Sequence, residues 1–157
     1  MPSPVTKRLT SDPDGDDFQY DNWPFYWLTQ VVGRYLQHLE VGLKRIGLDV
    51  PRWRVLMCLS QDRAVSVSEV AERAIVKLPT MTKIVQRMAE DGLVTCSVSE
   101  VDARVTVVTL TGPGLQARHE AWHIAAMVYD RAFARIPKGK IAALNLTLEA
   151  VFDRLGP

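Results

Sequence analysis

The sequence is short of cysteine, of net charge and of long apolar runs, and each shortage excludes something. Two cysteines, Cys58 and Cys96, are too few for a disulfide framework and lack metal-site spacing. Both read as small buried side chains, since nothing near them in sequence favours a thiolate. No run of about 18 apolar residues occurs, so no membrane-spanning helix is expected. The opening MPSPVTKRLTSDPDGDD has no apolar stretch behind its basic residues. A secretory signal is therefore not expected, and cytoplasmic residence is. The formal net charge is only +1, a weak footprint for a nucleic-acid binder. Positive charge aimed at a polyanion must then be arranged locally. Asp12, Asp14, Asp16, Asp17 and Asp21 crowd residues 1–22, which read as a flexible acidic tail offsetting basic residues elsewhere.

What is present is ordinary globular material: 157 residues, 47% hydrophobic and 24% charged, enough for one core. From Phe25 to Ile46, Leu28, Val32, Tyr35, Leu36, Leu39, Leu43 and Ile46 recur at helical spacing. Gly47 stops that helix, and Pro51 opens a short one in which Trp53, Leu56, Met57 and Leu59 face inward. Ser66 and Glu69 have capping-box spacing, and Val67, Val70, Ala71 and Ala74 give the next helix a small packing face. IVKL is a turn, Pro79 restarts a helix to Glu90, and Gly92 ends it. Two short helices joined by a tight turn outline a helix-turn-helix.

LVTCSV and RVTVVTL then alternate as two antiparallel strands, joined by a loop over 99–103 that projects as a wing. TGPG breaks the second strand and starts a helix with Leu115, Trp122, Ala126, Tyr129 and Phe133 on one stripe. Pro137 terminates it, and a last helix uses Ile141, Leu144, Leu148, Val151, Phe152 and Leu155. The fold class expected is mainly α with a small β-hairpin wing. Its parts are an N-terminal dimerisation helix over 23–48, a winged helix-turn-helix over 49–111 and C-terminal dimerisation helices over 112–157. The terminal stripes are too long for one chain to cover, so a homodimer with interleaved terminal helices is expected. The other reading is a monomeric helical bundle with a hairpin.

On a wheel of about 100° per residue, Met81, Ile84, Val85 and Met88 fall together and face the core. Thr80, Lys83 and Arg87 fall on another side, with Gln86 near them. Hydroxyls at a helix N-terminus and long cations one and two turns on suit a major groove. Taken alone, those cations are more often a solvated face. Arg104, at the wing, has a planar fork suited to a narrow minor groove, and Asp102 can fix its direction by a charge-assisted pair. The bland reading there is a surface ion pair. Thr80, Thr82, Lys83, Arg87, Asp102 and Arg104 are the expected contacts to double-stranded DNA.

VSVSEVAERA, TMTKIVQRMAEDGLV and DARVTVVTLTGPG resemble the multiple-antibiotic-resistance regulator (MarR) family. The resemblance covers nearly the whole chain after residue 25, and the wing is its most specific part. There the family usually has Asp-Arg-Arg, then Leu-Thr and a Gly. Asp102, Arg104, Leu110, Thr111 and Gly114 match, while Ala103 removes one usual cation. Pro79-Thr80 stands where the family's recognition helix usually opens with Ser-Thr. The resemblance implies a winged helix-turn-helix repressor, bound to a near-palindromic operator and released by a small, often aromatic ligand lodged between helical layer and DNA module. Trp23, Phe25, Tyr26, Trp27, Tyr35, His38, Trp53 and Arg54 supply an aromatic pocket with polar orienting groups, or else pack core and dimer interface. An oxidant-sensing cysteine on the first helix, used by some relatives, is absent. No cofactor or metal is implied.

One motif points elsewhere. HEAWH, His119 to His123, satisfies H-E-x-x-H: two imidazoles one helical turn apart for a Zn²⁺, with Glu120 as general base. A zinc metallopeptidase is thus the alternative function. A catalytic zinc needs a third protein ligand, no histidine lies downstream, and Glu149 is a candidate only by assumption.

Overall fold

Helix stops and starts follow local chemistry closely in the computed structural model, which describes residues 19–61 and 63–156. The tail expected over 1–22 lies outside the described residues up to residue 18; Tyr20–Asn22 form a 3-10 turn. Helix α1 runs over Pro24–Lys44, and Gly47, at φ +72°, supplies the left-handed turn that reverses the chain. Helix α2, Val50–Cys58, begins at Asp49, whose carboxylate accepts from the Arg52 N–H at 2.8 Å, with Pro51 in the first turn. Strand β1, Val65–Ser66, leads into α3, Val67–Arg73. Ser66 Oγ accepts from the Glu69 N–H at 3.1 Å, the expected half of a capping box. The Glu69 carboxylate does not reach back; it pairs with Arg63 at 3.3 Å and Arg73 at 2.9 Å.

Helix α4, Leu78–Glu90, starts one residue before the expected Pro79. Strands β2, Val94–Val98, and β3, Thr106–Leu110, pair antiparallel, with Val94 opposite Leu110 and Val98 opposite Thr106. The sheet has three strands in the order β1-β3-β2, since β1 pairs with β3 through Val65 and Val108. The expected alternation along β2 fails after Val94: Cys96 and Val98 are exposed. β2 is an outer strand and runs out past the core. Cys96 is therefore not the buried side chain expected, and Cys58 is only half-buried.

Helix α5, Gly112–Phe133, is capped by Thr111 Oγ1, which accepts from the Gly114 N–H at 3.0 Å. Helix α6, Lys138–Leu155, follows Pro137. The core is Leu39 and Leu43 of α1, Val55 and Leu56 of α2, Val67, Val70 and Ala71 of α3, Met81, Val85 and Met88 of α4, with Val108, Ala121 and Ile124. α2 sits in the middle, packed on α1 and α5 on one side and on α3 and α4 on the other. On α5 the expected stripe is not the buried one. Ala121, Ile124 and Ala125 face the core, whereas Trp122 is 59% and Tyr129 49% exposed. Small residues let α5 lie close to α1 and α2, and its large aromatics point away. No residue of α6 is buried.

Candidate nucleic-acid interface and effector region

α4 has two opposed faces. Met81, Val85 and Met88 are buried, and Ile84 is half-buried beside them. Thr80, Lys83, Gln86 and Arg87 are exposed. Neither Lys83 nor Arg87 is held in an ion pair among the described residues, so both long cations are free to extend from one surface. Thr82 is half-buried, and its hydroxyl donates to the Leu78 carbonyl within the helix at 2.9 Å. Lys77, the N-cap, makes no side-chain cap, which leaves the first-turn amides to an outside acceptor. Ile75 turns the chain between α3 and α4 at φ +55°, a conformation that costs a β-branched residue free energy.

The wing loop between β2 and β3 is tied at several points. Ser99 N–H donates to the Val105 carbonyl at 2.8 Å and Val105 N–H to the Asp102 carbonyl at 2.9 Å. Ser99 Oγ accepts from the N–H groups of Val101 at 3.2 Å and Asp102 at 3.4 Å. Asp102 then accepts from the Arg104 backbone N–H at 3.0 Å, from Nε at 3.2 Å and from Nη2 at 3.3 Å. These bonds from Arg104, the side-chain ones foremost, hold the Asp102 carboxyl below its ordinary pKa. The guanidinium is oriented yet 90% exposed. Arg104 lies in the loop tip, two residues before β3 begins, not in the strand as the sequence pattern implied.

Seven of the eight residues considered for one pocket fall into two places. Trp23, Phe25, Tyr26 and Trp27 gather with Tyr20 at the start of α1: ring centroids of Tyr20 and Tyr26 lie 4.8 Å apart, of Trp23 and Phe25 5.6 Å, of Tyr26 and Trp27 5.1 Å. Trp27 Nε1 donates to the Asp21 carbonyl at 2.6 Å. Tyr35 and Trp53 meet separately where α1 crosses α2, edge to face at 6.2 Å and 68°. Burial raises the Tyr35 pKa, partly offset by the Arg54 charge. His38 is exposed and is in neither group.

Around Trp53, α2 is fastened to the C-terminal ends of α3 and α4. Arg52 bridges Asp49 at 3.1 Å and Asp91 at 3.2 Å, the latter at the C-terminal end of α4. Arg54 Nη1 donates to the Ala74 carbonyl at 3.2 Å, just before the turn into α4. Trp53 Nε1 and, on α5, Arg118 Nε are buried without an acceptor among the described residues. The sequence reading missed Ser99, Arg52 and Arg118. A serine three residues before Asp102 is a recognisable turn signal. Arg118 has none, being one charge on a long amphipathic helix.

Partial desolvation raises the thiol pKa of half-buried Cys58 and of the largely exposed Cys96, so neither thiol is activated. His119 and His123 lie exposed on α5, and Glu120 accepts from Gln116 Nε2 at 2.8 Å. Among the described residues no three His, Cys, Asp or Glu side chains are grouped to hold a metal, so Glu149 does not complete a site. No helix of the described residues is long and apolar enough to cross a membrane.

A family model described as "MarR family" matches residues 48–106. The chain is 46% identical to the HTH-type transcriptional repressor IacR of Pseudomonas putida over 144 residues, which are 92% of this chain and 86% of that one. Among solved structures it resembles CouR of Rhodococcus jostii, determined with p-coumaroyl-CoA: TM-score 0.75, 24% identity, 81% of this chain and 90% of that one. It also resembles BpsR of Bordetella bronchiseptica, whose DNA binding is regulated by 6-hydroxynicotinic acid: TM-score 0.70, 20% identity, 81% and 96% covered. The winged helix-turn-helix order read from the sequence is the order these folds share. With its family model on the reading unit and a close relative along nearly its whole length, this chain belongs to the MarR family of transcriptional regulators, which are not enzymes.

Proposed function

We propose that the chain is a cytoplasmic homodimeric repressor that binds a near-palindromic operator and releases it when a small aromatic ligand binds. The observation that carries the DNA half is α4: Lys83 and Arg87 are exposed, and unpaired among the described residues, on the face opposite Met81, Val85 and Met88. Thr80 and the uncapped first turn address phosphate, and Lys83 and Arg87 address base edges or phosphate in the major groove. Thr82, partly turned into its own helix, contributes through its remaining lone pairs. Arg104, pre-aimed by Asp102, enters the flanking minor groove.

Pairing of chains is supported by what one chain leaves bare. Trp122 and Met127 of α5 and Leu146, Phe152 and Leu155 of α6 are exposed, more apolar surface than a solitary soluble chain tolerates. We assign residues 23–48 and 112–157 to dimerisation and 49–111 to DNA reading. Two-fold symmetry then sets half-sites about 34–36 Å apart, or a multiple of that.

The ligand half is supported by the aromatic acid and the aromatic thioester named for the two neighbours and by α2. Of the residues first considered, Tyr35, Trp53 and Arg54 form the effector region; Trp23, Tyr26 and Trp27 belong to the cluster at the start of α1. A ligand against Trp53 displaces α2, and Arg52 and Arg54 carry the shift to Asp91 at the end of α4 and Ala74 at the end of α3. Selection of duplexes from a random pool tests the whole reading. A two-fold symmetric consensus is the expected result, and recovery of no preferred sequence overturns it.

A further inference from the structure

Helices α1, α3 and α4 end on the same hydrogen-bonded turn. After α1, the Gly47 N–H donates to the Lys44 carbonyl and the Leu48 N–H to the Leu43 carbonyl. After α4, Gly92 and Leu93 donate in the same pattern to Ala89 and Met88. After α3, Ile75 donates to Glu72 at 3.1 Å and Val76 to Ala71 at 2.9 Å, and Arg54 holds the Ala74 carbonyl at 3.2 Å. The residue that reverses the chain in this turn takes positive φ, so glycine is its usual occupant. Gly47 and Gly92 stand at φ +72° and +73°. Ile75 stands at φ +55°, the only non-glycine residue in that region among the described residues. A β-branched side chain is strained there.

Packing within the chain offsets little of that strain, because Ile75 is 89% exposed. Leu78, the first residue of α4, is 49% exposed. Lys77 and Lys83 in the same stretch are exposed and in no ion pair among the described residues. Aliphatic side chains set among free cations suit a polyanion that carries small apolar groups. In a major groove that group is the C5-methyl of thymine, the one apolar mark on a base edge. Lys83 and Arg87 are donors and favour guanine, so an aliphatic contact adds a base that they do not select. Resting on the reading of α4 as the major-groove helix, we infer that Ile75 is a specificity-determining residue that packs on a thymine methyl in each half-site. Leu78 extends the same apolar contact. The strained turn is retained because it projects an aliphatic side chain where glycine would leave none.

The test uses the full chain and its selected duplex. Each thymine of the half-site is replaced in turn, in both half-sites, by deoxyuridine, which lacks only the methyl group. At one thymine the wild type is expected to lose about 3- to 10-fold in affinity per half-site, the scale of one buried methyl. Ile75→Gly is expected to cut that loss to within about twofold and to melt about 2–4 °C higher, since the strain is relieved. A fold made firmer while methyl reading is lost separates a contact with DNA from a merely structural role. Ile75→Ala, which keeps a Cβ and with it the stiffness of the chain, is expected to lose the uracil penalty as well. The inference is overturned if no thymine-to-uracil exchange weakens the wild type, if the penalty survives in either variant, or if Ile75→Gly melts no higher. Recovery of no preferred duplex would instead sink the regulator reading before any uracil is introduced, so the two failures are distinguishable.

Discussion

α4 and α6 are both amphipathic helices, yet they stand in opposite relations to the rest of the chain. α4, with 13 residues, buries Met81, Val85 and Met88 in a core closed by α2, α3 and the sheet. α6, with 18 residues, buries nothing, and Phe152 is 75% exposed. The difference separates a DNA-reading unit whose core closes within one chain from a helix that, on the proposed reading, a second chain covers. It also separates where charge is used. The apolar side of α4 is satisfied at home, so its other side is free to address a duplex.

The comparison breaks first in stability. Met88→Ala is expected to destabilise the chain by about 2–5 kcal/mol in urea unfolding, the range for a fully buried methionine. A loss below 1 kcal/mol would mean that the reading unit's core is not closed as described. Leu146→Asp with Phe152→Asp should do the converse. The reading unit keeps its helical circular dichroism, the chain sediments as a single copy, and affinity for a two-site operator falls about 100-fold or more as the second contact ceases to be intramolecular. Next come the cations. Lys83→Ala or Arg87→Ala is expected to cost about 1–3 kcal/mol of operator binding where bases are read, and to act uniformly across sequences where only phosphate is touched. Competition between selected and scrambled duplexes tells these apart.

The smallest expected effect lies at the wing. The folded-state pKa of Asp102 is depressed by its bonds from Arg104, so the clamp is intact above the ordinary carboxylate range. It is lost as pH falls through the lowered value, where the protonated carboxyl stops orienting the guanidinium. Carboxyl-carbon NMR of Asp102 should titrate below a free aspartate, and Arg104→Ala should return it to the ordinary position. An unmoved titration in that variant would contradict the clamp.

Much of this was legible beforehand, and the reasons differ by residue. Met81, Val85 and Met88 sit at 3.6-residue spacing, and Gly47, Pro79, Gly92 and Pro137 punctuate the chain where helices turn, start or stop. Asp102 and Arg104 stand at a spacing that places acceptor and fork together. β1 was illegible because two residues carry no period. On α5 the spacing picked out Trp122 and Tyr129, which point away from their own chain, but it did not reveal that Ala121, Ile124 and Ala125 are the side that meets it. The aromatic residues considered for one pocket are divided within one chain by length. Trp23 and Tyr35 are twelve residues apart, roughly 18 Å along a helix, so they do not meet within one chain. Arg118 was invisible because an unsatisfied donor is a fact about neighbours in space.

The most direct test of paired chains holding two reading heads on one duplex is native mass spectrometry of the protein saturated with a selected duplex. Two chains per duplex, both lost together when Leu146 and Phe152 carry Asp, is the predicted result. One chain per duplex at saturation would contradict it.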